Sequence, residues 1–213
     1  MLIINIMKFP NKKYKNVEKF FNDYFLNISS SLNTINFTEL KQIILILKKI
    51  YRNNKNKVYV CGNGGSAALA DHFACDHQKI LYETKKFKPF IVSLVSNGAL
   101  GTAISNDINY KSIFEEQLKQ TANFNDVLIT ISASGNSDNI INAIRWANKN
   151  KLITISLTGF NGGLSRKLSK YNLHIDSKNY GVIEANHQSL INIISQYLKV
   201  DSLSLNEIQK VKF

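Results

Sequence analysis

Val58-Tyr59-Val60-Cys61-Gly62-Asn63-Gly64-Gly65-Ser66 decides the fold: a short apolar run passes straight into a glycine-rich turn and then into an Ala-rich helix. β-Branched and aromatic residues favour a strand, while glycines let the backbone turn sharply and expose N–H groups where the helix opens. An anion would sit there naturally.

Working outward, apolar runs recur at Phe90–Leu94, Val127–Ile131, Leu152–Leu157 and, weakly, Leu173–Ile175. Helical spacing marks Ser66–Gln78, Lys111–Gln120, Ser137–Lys149 and Gly181–Lys199, and the Gly-rich segment after Gly159 suits only a short helix. This alternation is the signature of βαβ units, and strands that are almost wholly apolar suit a sheet covered on both faces. The expected class is α/β, a doubly wound five-stranded parallel sheet. Ahead of it, Asn11–Ser30 and Thr38–Lys49 carry apolar residues at helical spacing around the polar turn Asn33–Asn36. The chain is therefore read as an N-terminal helical arm (1–55), an α/β domain (56–200) and a C-terminal tail (201–213). The apolar stripes of the arm need somewhere to pack, which suggests helix exchange between subunits.

The run Val127–Ile131 ends as the first one does, in Ser132-Ala133-Ser134-Gly135-Asn136-Ser137 ahead of a helix. In open α/β sheets ligands bind beyond the carboxyl ends of strands, where hydroxyls and helix N-termini together hold a phosphate dianion. Ser66, Ser132, Ser134 and Ser137 are the candidate phosphate ligands. Glycine and serine are also ordinary turn and cap residues, and it is the pairing of two such turns that argues for a site.

The chain has 213 residues, 44% hydrophobic and 20% charged, which suits one folded domain with a helical extension. Lys and Arg outnumber Asp and Glu by 27 to 15, giving a net charge of +12. Such a balance fits a nucleic-acid partner, an anionic substrate or a lysine-rich coding bias. The basic residues are scattered (Lys12, Lys13, Lys48, Lys49, Lys85, Lys86), and no nucleic-acid-binding motif accompanies them. A nucleotide cofactor is not expected, because the first turn lacks G-x-G-x-x-G spacing and a P-loop lysine, and the second run does not end in an acidic residue. Cys61 and Cys75 have no framework spacing and read as free thiols of a reducing compartment. The apolar run Leu2–Met7 is far shorter than the roughly 20 residues of a membrane span, so a cytoplasmic protein is expected.

In order and spacing, Cys61-Gly62-Asn63-Gly64-Gly65-Ser66, Asp71-His72-Phe73-Ala74, Ser105-Asn106-Asp107, Ser132-Ala133-Ser134-Gly135-Asn136-Ser137 and Leu157-Thr158-Gly159 resemble the phosphoheptose isomerases of the SIS superfamily, over roughly 57–199. The resemblance implies a flavodoxin-like SIS sheet and conversion of sedoheptulose 7-phosphate to a heptose 7-phosphate for lipopolysaccharide or capsule. It also implies a homotetramer and a zinc ion beside the substrate. By position it implies substrate contacts from Asn63, Gly64, Gly65, Asn106 and Asp107, and a phosphate surrounded by Ser132, Ala133, Ser134 and Ser137. Ala133 stands where a hydroxyl residue is usual.

His72 and Asp76, four apart on one helix, share a face that could meet a sugar or a metal. An aldose–ketose isomerase moves a proton between adjacent carbons through an enediol and needs a base, and Asp76 stands where the family has a Glu. Glu184, His187, Gln188 and Asn192 make a polar arc on the last helix. Glu184, a candidate substrate contact, falls where the family has a metal-binding Gln, and Asn192 where it has a His that serves as metal ligand and acid. A carboxamide cannot pass a proton as imidazole does, so the acid is His187, a metal-bound water, or the activity differs; the reading taken here is His187. His72, Asp76 and Glu184 would form a two-carboxylate, one-imidazole site for zinc or another divalent ion. His77 and Lys79 could reach a neighbouring subunit or the sugar, and His174 reads as structural.

Two alternatives stay open. One is a non-catalytic SIS module that binds a sugar phosphate or a protein, which would explain the missing His. The other is an isomerase of a different sugar phosphate.

Overall fold

The computed structural model describes residues 9–53 and 55–212, so the run Leu2–Met7 lies outside the described residues. Five parallel strands, β1 (Val58–Gly62), β2 (Ile91–Ser93), β3 (Val127–Ser132), β4 (Ile153–Thr158) and β5 (Tyr171–His174), form one sheet in the order β2-β1-β3-β4-β5. Every residue of β1 and β3 is buried, as strands covered on both faces must be.

Strand alternation divides the core. Val58, Val60, Val127 and Ile129 face one side, with Ile43 and Leu47 of α2 (Phe37–Asn53), Phe73 of α3 (Gly65–Tyr82) and Leu190 and Ile194 of α8 (Tyr180–Ser202). Tyr59, Cys61 and Leu128 face the other side, with Ile104 of α4 (Gly98–Asp107), Phe114 and Leu118 of α5 (Ile113–Thr121), and Ile140 and Ile144 of α6 (Asp138–Lys149). The period of two in each strand thus feeds two separate apolar layers.

The first arm helix, α1 (Val17–Leu32), packs on α8, and α7 (Gly163–Leu168) packs between β4 and α6. α1 leaves Val17, Phe21 and Phe25 exposed along one stripe. The tail adds α9 (Leu205–Ile208), opened by a reciprocal cap in which Ser204 Oγ accepts from the Glu207 N–H and Glu207 accepts from the Ser204 N–H.

All five expected strands are present, each within two residues of its expected bounds. α4 was not expected. Gly98, Gly101 and Thr102 are weak helix formers, yet Asn97 caps the helix by accepting from the Leu100 N–H at 3.0 Å, and Ile104 buries its inner face. The expected start of α1 at Asn11 moves to Val17, because Asn16 accepts from the Glu18 and Lys19 N–H groups and stops the helix there.

Candidate active site

β1 and β3 are neighbours whose connections leave in opposite directions along the sheet, which makes the gap between their carboxyl ends the topological switch point. Both glycine and serine turns open there. At the first, a side chain on Gly62 would come within 2.4 Å of the Ser66 carbonyl oxygen, so the strand enters α3 only if that residue is glycine. At the second, Gly135 has φ +65, and a Cβ there would lie 2.1 Å from the Gly162 carbonyl. Gly135 thereby lets the loop after β4 lock onto this turn, with the Ser165 N–H donating to Gly135 O at 2.9 Å and the Leu164 N–H donating to Asn136 Oδ1 at 3.0 Å.

The two turns are tied directly. Asn63 Nδ2 donates to Asn139 Oδ1, and Asn139 Nδ2 donates back to Asn63 Oδ1, each at 2.9 Å. Tyr110, just past the end of α4, donates its hydroxyl to the same Asn63 oxygen at 2.9 Å. Neither Tyr110 nor Asn139 belongs to the sequence-derived set, since their importance lies in contacts 47 and 76 residues distant along the chain.

The four candidate serines differ in access. Ser66 and Ser132 are buried, and Ser132 Oγ accepts from the Gly135 N–H, so both shape their turns from below. Ser134 and Ser137 are half-exposed; Ser134 Oγ accepts from the Asn136 N–H at 3.3 Å, and Ser137 is the N-cap residue of α6. Asp138 in that first turn pairs with Lys111 at 2.8 Å, which holds its carboxyl below the ordinary range and offsets its charge beside an incoming anion. Ala133 is buried and its carbonyl accepts from the Gly159 N–H, so it contributes shape rather than a ligand group.

Glu184 reaches across from α8 to the opening of α3, where a Cβ on Gly65 would lie 3.2 Å from both carboxylate oxygens. A carboxylate suits the positive end of a helix, but it would repel a phosphate dianion at the same place. The β3–α6 turn has no such carboxylate unpaired at its opening, since Asp138 there is held by Lys111. Asn106 and Asp107 end α4 on the surface, with Asn106 donating to Asp107 at 2.9 Å; neither bonds to the residues of the two turns among the described residues.

α3 carries the reactive candidates. His72 Nε2 lies 2.9 Å from Asp76 Oδ2 and 3.2 Å from Asn192 Oδ1 of α8, which also accepts from Gln188 Nε2 at 3.2 Å. His72 and Asp76 therefore meet as their spacing requires.

Three expectations need correction. His187 is fully buried; Nε2–H donates to the Thr158 carbonyl at 3.2 Å and Nδ1 has no partner among the described residues. Burial pushes its pKa down to about 4, so it stays neutral at pH 7 and points at the end of β4 instead of serving as the acid. His77 is also buried, stacked on Phe73 at 3.8 Å and bonded through Nδ1 to the Tyr51 hydroxyl, so it reaches neither the sugar nor another subunit.

The third concerns zinc. His72, Asp76 and Glu184 were expected to hold the ion together, but Glu184 lies over Gly65, and the residue that joins the pair is the carboxamide Asn192. Among the described residues no group of three His, Cys, Asp or Glu is arranged to hold a metal ion. A catalytic zinc takes three good protein donors, so this donor set does not fit one.

A SIS-domain family model matches residues 21–159. The phosphoheptose isomerase of Aliarcobacter butzleri is 41% identical over 134 residues, covering 63% of this chain and 70% of that protein. The phosphoheptose isomerase of Buchnera aphidicola is 38% identical over 167 residues, covering 78% and 84%. The solved phosphoheptose isomerase of Neisseria gonorrhoeae superposes with a TM-score of 0.77 at 28% identity, over 88% of this chain and 97% of that one. With its switch-point turns and its parallel sheet, the chain belongs to the SIS-domain family and, within it, to the phosphoheptose isomerases.

Proposed function

We propose that this chain is an aldose–ketose isomerase that interconverts sedoheptulose 7-phosphate and a heptose 7-phosphate, a reaction that would supply a building block for surface polysaccharide. The observation that carries the reading is the His72–Asp76 pair at 2.9 Å, on the helix that leaves the first switch-point turn. A base there can work on a sugar whose phosphate is held on the second turn.

The N-terminus of α6 with Ser134 and Ser137 would hold the phosphate, and the net charge of +12 favours approach of an anionic substrate. The His72–Asp76 pair would take a proton from the carbon beside the carbonyl. The enediolate so formed would accept a proton at the neighbouring carbon, which moves the carbonyl by one position. Asn63, fixed by Asn139 and Tyr110, would position a hydroxyl of the sugar. The relatives are named for this activity, and the exposed stripe Val17, Phe21 and Phe25 on α1 supports assembly of subunits into a homotetramer.

The absence of an acid histidine from α8 favours one other reading, a module that binds the sugar phosphate without turnover. Incubation with sedoheptulose 7-phosphate in D2O, followed by NMR, separates the two. Deuterium entering beside the carbonyl together with an aldose product supports the isomerase. Ligand-induced thermal stabilisation without exchange supports the binding module.

A further inference from the structure

A cleft of about 510 Å³ lies between α5 and α6, away from both switch-point turns. Lys119 of α5 forms one wall, and Asn142, Arg145, Trp146, Lys149 and the capping Asn150 of α6 form the other. At 100° per residue the five α6 positions fall within an arc of about 140°, so a single face of that helix supplies them all.

Trp146 is the only tryptophan of the chain. It is half-buried, packing against the apolar layer of Leu118, Ile140 and Ile144 while also lining the cleft. Among the described residues no ring or cation stacks on its indole, and the indole N–H has no hydrogen-bond partner. Arg145 and Lys149 stand one turn apart and are exposed, and neither makes a hydrogen bond or an ion pair among the described residues. Lys119, by contrast, is bridged to Glu115 at 2.8 Å and Glu116 at 2.7 Å, so the acids nearest the cleft are already paired. Asn142 Nδ2 donates to the Lys111 carbonyl at 3.2 Å and Asn150 Nδ2 to the Trp146 carbonyl at 2.8 Å. Their side-chain oxygens are left as acceptors one turn to either side of Trp146.

We propose that this cleft binds a nucleoside diphosphate, with the base stacked on Trp146 and the phosphates on Arg145 and Lys149. An aromatic side chain is a platform for the face of any base, and an arginine with an unpaired neighbouring lysine suits the two phosphate groups. Asn142 or Asn150 accepts a hydrogen bond from a base amine or a ribose hydroxyl. The volume is that of a small-molecule site. A single platform takes a single base, whereas a nucleic-acid strand needs successive platforms along a basic track, and the other basic residues are scattered. Trp146 follows Ser137 by nine positions, roughly 13–14 Å along α6, so the site is separate from the phosphate turn and does not depend on the isomerase reading.

Because the chain has one tryptophan, its fluorescence reads this cleft and no other place. ADP titrated into the full chain, in a buffer with EDTA so that no divalent cation joins the contact, is expected to quench that fluorescence along a saturable curve. Raised salt should weaken the binding, since the charges are exposed. By calorimetry, Trp146→Leu should weaken ADP binding about 5- to 150-fold, the range of one base stack, and Trp146→Phe should recover part of the loss. The double variant Arg145→Gln, Lys149→Gln changes only exposed side chains, so it should fold normally and bind ADP at least about tenfold more weakly. Adenosine and inorganic pyrophosphate, each carrying one half of the ligand, should each bind about tenfold or more below ADP.

Fluorescence unchanged at about 1 mM ADP would overturn the site, even if calorimetry detects binding, since ADP would then sit elsewhere on the chain. Undiminished affinity in the double variant would overturn the role of the two cations. Pyrophosphate or ribose 5-phosphate bound as tightly as ADP would overturn the nucleotide assignment. A single-stranded oligonucleotide bound about tenfold more tightly at the same salt would overturn it in favour of nucleic acid.

Discussion

Asn63 and Asn139 face each other across the carboxyl ends of β1 and β3 and exchange two amide hydrogen bonds of 2.9 Å. Asn139 is buried, so each amide satisfies groups that water cannot reach well, and the two turns of the switch point move as one unit.

Replacing Asn139 by Ala removes both bonds and leaves the inward side of Asn63 unpaired. The expected loss is about 1–3 kcal/mol of stability, the cost of orphaning a buried polar partner. Because Tyr110 still holds Asn63 from one side only, KM for the sugar phosphate should rise more than kcat falls. Urea unfolding and steady-state kinetics on the same preparation test this; an unchanged KM would show that the turns are positioned independently.

Asp76→Asn keeps the size of the side chain but removes the charge that faces His72 Nε2. Turnover should fall by about 10²- to 10⁴-fold while KM changes little, since in the proposed reaction the carboxylate would act on the transition state and the serine turn would hold the ground state. A raised KM with unchanged kcat would assign Asp76 to binding instead.

Burial holds His187 down to about 4 and His77 down to about 3. Unfolded, both would take up protons near the ordinary value of 6.5. Below pH 6.5 the unfolded chain therefore binds more protons than the folded one, and stability falls as pH drops from there toward 4. Denaturant midpoints measured from pH 7.5 to 4.5 should decline, and His187→Leu should make the decline shallower. The same variant should keep kcat within a few-fold of wild type, as the ring lies beneath the site. A flat profile across that range would contradict the buried, neutral state.

The donor set His72, Asp76 and Asn192 makes a poor zinc site, so treatment with a strong chelator should leave deuterium exchange within about twofold of the untreated rate. Metal analysis of the purified protein should find well under one equivalent of zinc. Loss of exchange on chelation, restored by zinc, would show that Glu184 swings from Gly65 to complete a metal site.

The sheet and its two turns were legible in the sequence because their causes are local. Apolar β-branched runs, glycine at a strand end and serine ahead of a helix each act within a few residues, and the repetition of that pattern implied the neighbouring strand ends. The pairing of His72 with Asp76 was legible for the same reason, since a spacing of four places both on one face of any α-helix. α4 was hidden because its helix depends on one asparagine cap and one buried isoleucine more than on propensity.

What only the tertiary structure decided was which way α8 is turned. Its sequence shows a polar arc of Glu184, His187, Gln188 and Asn192, and periodicity states their angles about the helix axis but not which of them meets α3. Packing against Thr158 buries His187, and the same rotation carries Asn192 to His72, 120 residues away, and Glu184 to Gly65. Rotation of a helix is set by how its apolar side, here Leu190, Ile191 and Ile194, fills the space left by the sheet and α3. That is a property of all the packed elements together, and no local stretch of chain contains it.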